Sequence, residues 1–280
     1  MFTDVADVNG IRMHYRRTGE GPLLLLLHGW PQTGHCWHAI MEPLAAEGRT
    51  VVAPDLRGYG HSDKPRDGHD KRTKAADLHG LVAALGFDSA AVVGHDRGAR
   101  VAHRWALDHP DDITRLMLLD IIPTREMWRR MDHRLAAGSW HWLFHLQPDL
   151  PERLAGADTA GYLRHFFDAW SHRPLPEDDI AEYVRAFSAP GALRAGFDDY
   201  RASFPHDAEA DDADAAAGRK IAVPLRVLWG QAGFLGGIDA VDVWRDYAER
   251  VTGAMVENCG HFLAEERPER LISEIRDFLA

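Results

Sequence analysis

The stretch VVGHDRGAR, residues 92–100, runs from small and β-branched residues into a polar turn and decides how the rest of the chain is interpreted. Asp96 stands between Gly94 and Gly98, which is the G-x-nucleophile-x-G pattern of a nucleophile elbow on a strand-to-helix turn. Glycine is expected on both sides because the strand and helix backbones approach closely there. Aspartate is also a favoured helix N-cap, so the pentapeptide alone leaves a purely structural role open.

Outward from the elbow, strand-like apolar runs alternate with helical patterns. The predicted strands cover residues 11–17, 22–28, 50–54, 90–94, 116–121, 225–230 and 254–257. The predicted helices cover residues 73–86, 97–109, 240–250 and 268–279. Continuous apolar strands separated by helices are typical of a mostly parallel sheet with helices on both faces, so we predict an α/β fold.

The alternation stops at Pro123 and returns after Pro224 with LRVLWG. The segment between contains no convincing buried strand, is rich in tryptophan and histidine (WHWLFH, 140–145) and includes the acidic stretch DAEADDADAAAG. We therefore predict a discontinuous core, residues 1–122 and 223–280, and an inserted helical cap, residues 123–222.

The composition restricts the class of protein. Of the 280 residues, 45% are hydrophobic, which suits one large α/β core with a lid. The net charge of -11 argues against binding to nucleic acid or an anionic membrane, although arginines in a cleft would still admit an anionic substrate. With only Cys36 and Cys259, no signal-like N-terminus and no bilayer-spanning apolar run, we expect a soluble cytoplasmic protein.

Further polar groups follow predicted strands, where open α/β sheets bind their ligands. The loop HGWP, residues 28–31, can supply a backbone N–H to an oxyanion hole, together with the N–H after the nucleophile. Asp120 ends the run LMLLD, and His261 lies in ENCGHFLAEERP after the last predicted strand. Each of these alone could be structural, but nucleophile, acid and histidine together meet the requirements of a catalytic triad.

These motifs resemble those of α/β-hydrolases with an aspartate nucleophile, and most closely the haloacetate (fluoroacetate) dehalogenases. The resemblance spans the whole chain and rests on HGWP, GHDRGAR, LMLLD, the W-H-W of the cap, DDYRA and GHFLAEE. Related epoxide hydrolases and haloalkane dehalogenases typically carry tryptophan directly after the nucleophile, whereas this chain has Arg97. A guanidinium fork there is suited to hold a carboxylate by paired charge-assisted hydrogen bonds.

The resemblance implies the α/β-hydrolase fold and hydrolytic dehalogenation of haloacetates through an aspartyl ester, with no metal or organic cofactor. Asp96 would attack the carbon that bears the halogen, and His261, oriented by Asp120, would activate water. The remaining implied contacts are Arg97 and Arg100 to the substrate carboxylate, His141, Trp142 and Tyr200 to the halide, and the backbone N–H groups of Trp30 and Arg97 to the oxyanion. Many relatives keep the acid after the next-to-last strand, but no carboxylate occurs there before Asp239.

Several alternatives remain open. Arg97 and Arg100 lie one helical turn apart and could instead pair with acids on a surface face. An epoxide hydrolase shares the aspartyl-ester chemistry but needs cap tyrosines to protonate the epoxide oxygen, and Tyr162, Tyr183 and Tyr200 are available.

A non-catalytic ligand receptor on the same fold would not need the nucleophile, acid and histidine that this chain retains. The partner that we expect is a small anionic substrate, with neither nucleic acid nor membrane. A homodimer is implied by the resemblance alone.

Overall fold

A computed structural model describes residues 1–280 and contains one eight-stranded sheet. The strands are β1 (Phe2–Val8), β2 (Ile11–Thr18), β3 (Leu23–Leu27), β4 (Thr50–Pro54), β5 (Ala90–His95), β6 (Ile113–Leu119), β7 (Leu225–Gly230) and β8 (Val251–Val256). Their order is β1-β2-β4-β3-β5-β6-β7-β8, with β2 antiparallel to β1 and β4 and all other pairs parallel. The predicted α/β class is confirmed.

The centre of the sheet is buried on both faces. Every residue of β3 and β5 is buried, which is why these strands are continuous apolar runs and do not alternate. β5 lies between β3 and β6, with Val92 opposite Leu25 on one side and Leu116 on the other. Because these strands are parallel and in register, the turns that follow them meet at one edge of the sheet.

Helices form the rest of the structure. The helices outside the cap are α1 (His38–Ala45), α2 (Lys71–Ala84), α3 (Asp96–Asp108), α12 (Ala240–Trp244), α13 (Leu263–Glu266) and α14 (Pro268–Leu279). Between β6 and β7 lie α4 (Thr124–Arg129), α5 (His133–Gly138), α6 (Trp140–His145), α7 (Leu150–Ala157), α8 (Thr159–Trp170), α9 (Glu177–Phe187), α10 (Ala192–Ala202) and α11 (Ala208–Ala216). None of the helices has both the length and the hydropathy needed to cross a bilayer.

Several elements differ from the sequence-based prediction, among them strand β6, which begins three residues earlier than expected. Strand β1 was not predicted, because most of its residues are exposed at the sheet edge and it lacks an apolar run. Strand β8 begins three residues earlier than expected, because it pairs with β7 along its whole length. Helix α12 ends at Trp244 instead of residue 250, because Tyr247 and Glu249 pair with the backbone of Ile221. The division into core and cap at residues 122 and 223 remains our proposal.

The start of helix α3 packs directly on the end of β3. A Cβ added at Gly98 would lie 2.4 Å from the carbonyl oxygen of His28 and 2.6 Å from that of Leu27. These are backbone atoms, which cannot turn away as a flexible side chain can. Glycine at this position is therefore a packing requirement of the elbow.

Replacing Gly98 with alanine is expected to lower the free energy of unfolding by about 1–3 kcal/mol, the usual effect of overpacking a core. Gly156→Ala, in helix α7, is the matched control. Its added Cβ meets nothing closer than Leu193 Cδ1 at 3.8 Å, so we expect no loss and a gain of up to about 1 kcal/mol from helix propensity. Urea unfolding of both variants measures the difference, and equal stabilities would contradict the close packing.

Candidate active site

Asp96 is the first residue of α3 and has a left-handed backbone, with φ of 46°. A non-glycine residue in this region is uncommon and strained, and such residues are concentrated at functional sites. The loop before helix α1 passes directly over it, since a Cβ added at Gly29 would lie 2.4 Å from Asp96 Cβ. The elbow and the HGWP loop therefore form one compact unit.

The backbone N–H of Trp30 donates a 2.9 Å hydrogen bond to Asp96 Oδ1. That length is within the range of an oxyanion-hole donor. The N–H of Arg97 is the second of helix α3 and has no acceptor within the helix. If the other carboxylate oxygen of Asp96 forms an ester, Oδ1 becomes the carbonyl oxygen, and Trp30 already contacts it.

The acid and the histidine meet at the ends of β6 and β8. His261 Nδ1 lies 2.6 Å from Asp120 Oδ2, and the N–H of Gly230 donates to Asp120 Oδ1 at 3.1 Å. A carboxylate oxygen can only accept, so Nδ1 carries the proton and Nε2 is the free base; Nε2 has no partner in the protein. Asp239 is exposed and caps helix α12, so the structure places Asp120, and not Asp239, against the histidine.

Neighbouring charges shift the pKa values of His261 and Asp96. Burial lowers the pKa of His261, but the hydrogen bond and charge of Asp120 and the charge of Asp96 outweigh it, so the pKa is raised above 6.5. Burial raises the pKa of Asp96, but His261 and Arg97 outweigh it, so that pKa is lowered from 3.8. Asp96 is therefore ionised at neutral pH and needs no base before it can act as a nucleophile.

One cavity joins these groups to the cap. It is lined by Asp96, Arg100, Asp120, Met127, Gly138, Ser139, His141, Trp142, Trp170, Phe234 and His261. The cavity volume is about 40 Å³, several times the roughly 10–15 Å³ that a single water needs. The cavity thus admits a ligand of a few non-hydrogen atoms.

Arg100 is a buried cation without a carboxylate partner. Its guanidinium donates to the carbonyl oxygen of Ile122 at 3.0 Å and to Thr124 Oγ1 at 3.2 Å. Burial and the neighbouring Arg97 lower its pKa to about 10, against the opposing effect of Asp96. Other buried arginines pair with a carboxylate, as follows: Arg57 with Asp77, Arg97 with Asp199, and Arg104 with Asp214.

Arg97 differs from its predicted role. Its side chain is fully buried and does not line the cavity. Nε donates to Asp199 Oδ1 at 2.6 Å, and one terminal nitrogen donates to Ser203 Oγ at 2.7 Å. Only its other terminal nitrogen, Nη1, has no partner. The bidentate fork that the sequence suggested for a substrate is therefore already engaged by the cap helix α10.

The three predicted halide contacts lie together. His141 and Trp142 line the cavity, and the ring of Tyr200 lies 5.5 Å from that of His141 and 5.8 Å from that of Trp142. Burial lowers the pKa of His141 to about 3, so its ring is neutral and keeps one N–H donor. Tyr200 does not itself line the cavity, and its ring packs 4.3 Å from the Arg97 guanidinium carbon.

The other two tyrosines considered at the sequence level have different partners. Tyr162 shares a 2.7 Å hydrogen bond with His145 Nε2, inside the cap. The hydroxyl of Tyr183 donates to Glu265 Oε1 at 2.6 Å. Neither lines the cavity.

Two residues at the histidine were not singled out from the sequence. Trp170 lines the cavity, and its carbonyl oxygen accepts the His261 N–H at 2.8 Å. Glu266 accepts the N–H groups of Gly260 at 2.9 Å and of the cap residue His172 at 2.7 Å. The motif GHFLAEE contained Glu266 but gave no sign of this role, because its partners are backbone groups.

Comparison with known proteins identifies the family of this chain. The sequence matches the α/β hydrolase fold family over residues 22–268. The chain belongs to the α/β hydrolase family. It is 42% identical over 281 residues to a soluble epoxide hydrolase from Corynebacterium sp. (strain C12), covering 98% of this chain and 96% of that protein. It is 37% identical over 286 residues to a fluoroacetate dehalogenase from Burkholderia sp., covering 99% and 93%.

A solved structure shows the same likeness. The epoxide hydrolase CorEH, without ligand, matches this hydrolase with a TM-score of 0.93 and 39% sequence identity, covering 99% of this chain and 98% of that one. The α/β-hydrolase fold is therefore confirmed. Because the named relatives include both an epoxide hydrolase and a fluoroacetate dehalogenase, family membership alone leaves the substrate undecided.

In the variant Asp120→Asn, the pKa of His261 is expected to fall. The substitution removes the charge that raises this pKa, while the burial that lowers it remains. NMR titration of the His261 ring, assigned with His261→Asn, measures the change. Asp239→Asn is the matched control and should leave the His261 pKa unchanged; a fall in the control, or none in Asp120→Asn, would mean that the acid is misassigned.

Proposed function

We propose that this hydrolase removes the halogen from haloacetates and releases the hydroxyacid and a halide ion. The observation that carries the proposal is the unpaired guanidinium of Arg100 on the same cavity as Asp96 and His261. A buried charge is normally paired, because the desolvation of an isolated ion is expensive. The carboxylate of a small substrate would supply the missing partner through charge-assisted hydrogen bonds.

In the first step, a carboxylate oxygen of Asp96 attacks the carbon that bears the halogen. The new C–O bond forms as the C–halogen bond breaks, and the halide leaves with the bonding electrons. The low pKa of Asp96 makes the nucleophile available at neutral pH. His141 and Trp142 line the same cavity and would donate hydrogen bonds to the departing halide.

In the second step, water attacks the ester carbonyl carbon of Asp96. His261 Nε2 accepts a proton from that water, and Asp120 stabilises the imidazolium that forms. The N–H groups of Trp30 and Arg97 hold the oxyanion as it develops. When the tetrahedral intermediate collapses, the C–O bond to the substrate breaks and the His261 imidazolium gives its proton to the departing alkoxide oxygen, which leaves as the hydroxyacid. The Asp96 carboxylic acid then loses its proton to solvent and is again a carboxylate.

The variant His261→Asn should complete the first step and stop. We expect one equivalent of halide per chain from chloroacetate and a stable carboxymethyl ester on Asp96, found by mass spectrometry of the peptide that contains it. Asp96→Asn is the control, freshly prepared, and should release no halide. Continuous turnover by His261→Asn, or a label on another residue, would exclude the two-step scheme.

The variant Arg100→Lys keeps the charge but loses the planar fork. We expect kcat/KM for chloroacetate to fall about tenfold to a hundredfold, since a hydrogen bond to a charged group contributes about 1.5–3 kcal/mol. Chloroacetamide is the matched control substrate, because it lacks the carboxylate: it should react poorly with the wild type and be little affected by the substitution. Equal losses on the acid and the amide would argue against carboxylate binding at Arg100.

Among the halides, fluoride as a leaving group depends most on hydrogen-bond donors, because it is the hardest to expel from carbon and leaves with the most concentrated charge. The change Trp142→Phe removes the indole N–H, and Tyr200→Phe removes the hydroxyl. We expect Trp142→Phe to slow fluoroacetate more than bromoacetate, by up to about a hundredfold for the loss of one transition-state donor, and Tyr200→Phe to do so by less, because Tyr200 does not line the cavity. Parallel kinetics on both substrates test this, and a uniform loss would mean that these residues only shape the cap.

An epoxide hydrolase is the second candidate. It is favoured by the identity to the Corynebacterium protein and by Tyr200, a cap tyrosine whose pKa is raised by burial and by nearby Asp96. Against it, Tyr162 and Tyr183 are engaged elsewhere, and an epoxide offers no charge to Arg100. Halide release from chloroacetate and diol formation from a small terminal epoxide, measured side by side on the wild type, decide between the two; diol alone would overturn the proposal.

A further inference from the structure

A second group of chemistry-bearing side chains lies outside the catalytic cavity. His35 and His38 belong to the turn and helix that follow the HGWP loop, and Asp179 lies in the first turn of the cap helix α9. Their candidate donor atoms all lie within 4.8 Å of one another. None of the three lines the cavity.

The two histidine rings are held side by side. The ring centroids are 4.6 Å apart and the ring planes differ by 14°, so the two imidazole rings are stacked. Thr33 caps the 3-10 turn Gly34–Trp37 by accepting the backbone N–H of His35. His38 is exposed, which leaves the group open to ions in solution.

The hydrogen bonds leave one ring nitrogen of His38 free. His38 Nδ1 lies 3.0 Å from the carbonyl oxygen of His35, and a carbonyl can only accept, so Nδ1 carries the proton. Its Nε2 therefore has a free lone pair. A ring fixed through its second nitrogen by a backbone carbonyl is the usual arrangement of a metal-binding histidine.

His35 and Asp179 are already joined by a hydrogen bond, and a bound metal ion would take the place of its proton. His35 Nε2 lies 2.7 Å from Asp179 Oδ1, and this nitrogen donates because the carboxylate accepts. On metal binding, Nε2 loses its proton to solvent and Nδ1 takes one up, so that the ring stays neutral and the Nε2 lone pair and the carboxylate oxygen both coordinate the ion. Imidazole nitrogen and carboxylate oxygen are ligands that Zn²⁺ takes in proteins.

We propose that His35, His38 and Asp179 form a binding site for a divalent transition-metal ion of the Zn²⁺ class, and that the ion ties the cap to the core. Zinc bonds of about 2.0–2.2 Å at tetrahedral angles place two ligand atoms roughly 3.4 Å apart, so a side-chain adjustment of at most about 1.4 Å completes the site. Three protein ligands leave one position for water.

The three proposed ligands come from both sides of the boundary between core and cap. His35 and His38 follow β3 and belong to the core, whereas Asp179 belongs to the cap, so the bound ion crosses the boundary between them. Next to it, Tyr183 of α9 contacts the His35 ring and donates to Glu265 of α13. An ion here would therefore hold helix α9 against the core.

A similar cluster elsewhere provides a matched control. His79, His109 and Asp112 also have their donor atoms within 4.8 Å. However, Asp112 Oδ2 already accepts from both His79 Nδ1 and Trp105 Nε1, each at 2.7 Å. A metal that binds through this oxygen competes with the indole N–H, so we expect this cluster to bind more weakly, and the cluster lies entirely outside the cap.

The experiment is a Zn²⁺ titration of the intact, EDTA-treated protein by calorimetry, with wild type, His38→Ala and His79→Ala. We expect one site per chain in the wild type and in His79→Ala, and a dissociation constant weakened at least about tenfold in His38→Ala. Because His38 is exposed, this variant should fold normally, which its circular dichroism checks. No binding by the wild type, or equal binding by His38→Ala, would overturn the site.

Hydrogen exchange tests the tie between cap and core. Zn²⁺ should slow amide exchange in α9 in the wild type and in His79→Ala but not in His38→Ala. If Zn²⁺ binds and exchange in α9 does not change, the ion does not hold the cap, and that half of the proposal is wrong.

Discussion

The left-handed backbone of Asp96 is the constraint on which the site depends. It turns the chain sharply between β5 and α3, so that the carboxylate stands at the edge of the sheet. A strained residue persists only where its surroundings determine its conformation. Here β5 is fixed between two parallel neighbours, and α3 packs through Gly98 onto the last carbonyl groups of β3. The same contact brings the N–H of Trp30 to the carboxylate, so nucleophile and oxyanion donor are fixed together.

Arg97 and Arg100 lie three residues apart on helix α3, but only Arg97 is paired with a carboxylate. Arg97, Lys71 and Lys74 all contact the buried carboxylate of Asp199, and Lys71 also pairs with Asp207, so Arg97 has a carboxylate partner inside the protein. Arg100 has only neutral acceptors. Its charge therefore remains directed to the cavity, next to a nucleophile that is itself anionic. An anionic substrate would approach Asp96 against repulsion unless such a cation held its carboxylate, and Arg100 is in the position to do so.

The strands were largely predictable, and the side-chain partners were not. β3 and β5 are buried on both faces and appear as apolar runs, whereas β1 is exposed at the sheet edge and gives no such signal. Parallel strands in register bring their carboxyl ends together, so residues at those ends can be grouped from the sequence alone.

The side chains of Arg97 and Arg100 could not be assigned in that way. Their different environments depend on Asp199, about a hundred residues further along the chain, in a helix whose docking no local pattern encodes. For the same reason Tyr162, Tyr183 and Tyr200 were equivalent candidates in the sequence. Only the packing of the cap shows that the first two are engaged.

Core and cap contribute different parts of the chemistry. The proposed nucleophile, acid, histidine and oxyanion donors all lie on turns of the core, and in the proposed mechanism they form and hydrolyse an aspartyl ester whatever the leaving group is. The cap supplies His141, Trp142 and Trp170. A departing halide needs hydrogen-bond donors, whereas an opening epoxide needs a proton for its oxygen, so the two transition states make different demands on the same few positions. Under the proposed mechanism, substrate choice can change through a handful of cap residues while the fold and the ester chemistry stay the same. This would be consistent with relatives of this chain that include both an epoxide hydrolase and a fluoroacetate dehalogenase.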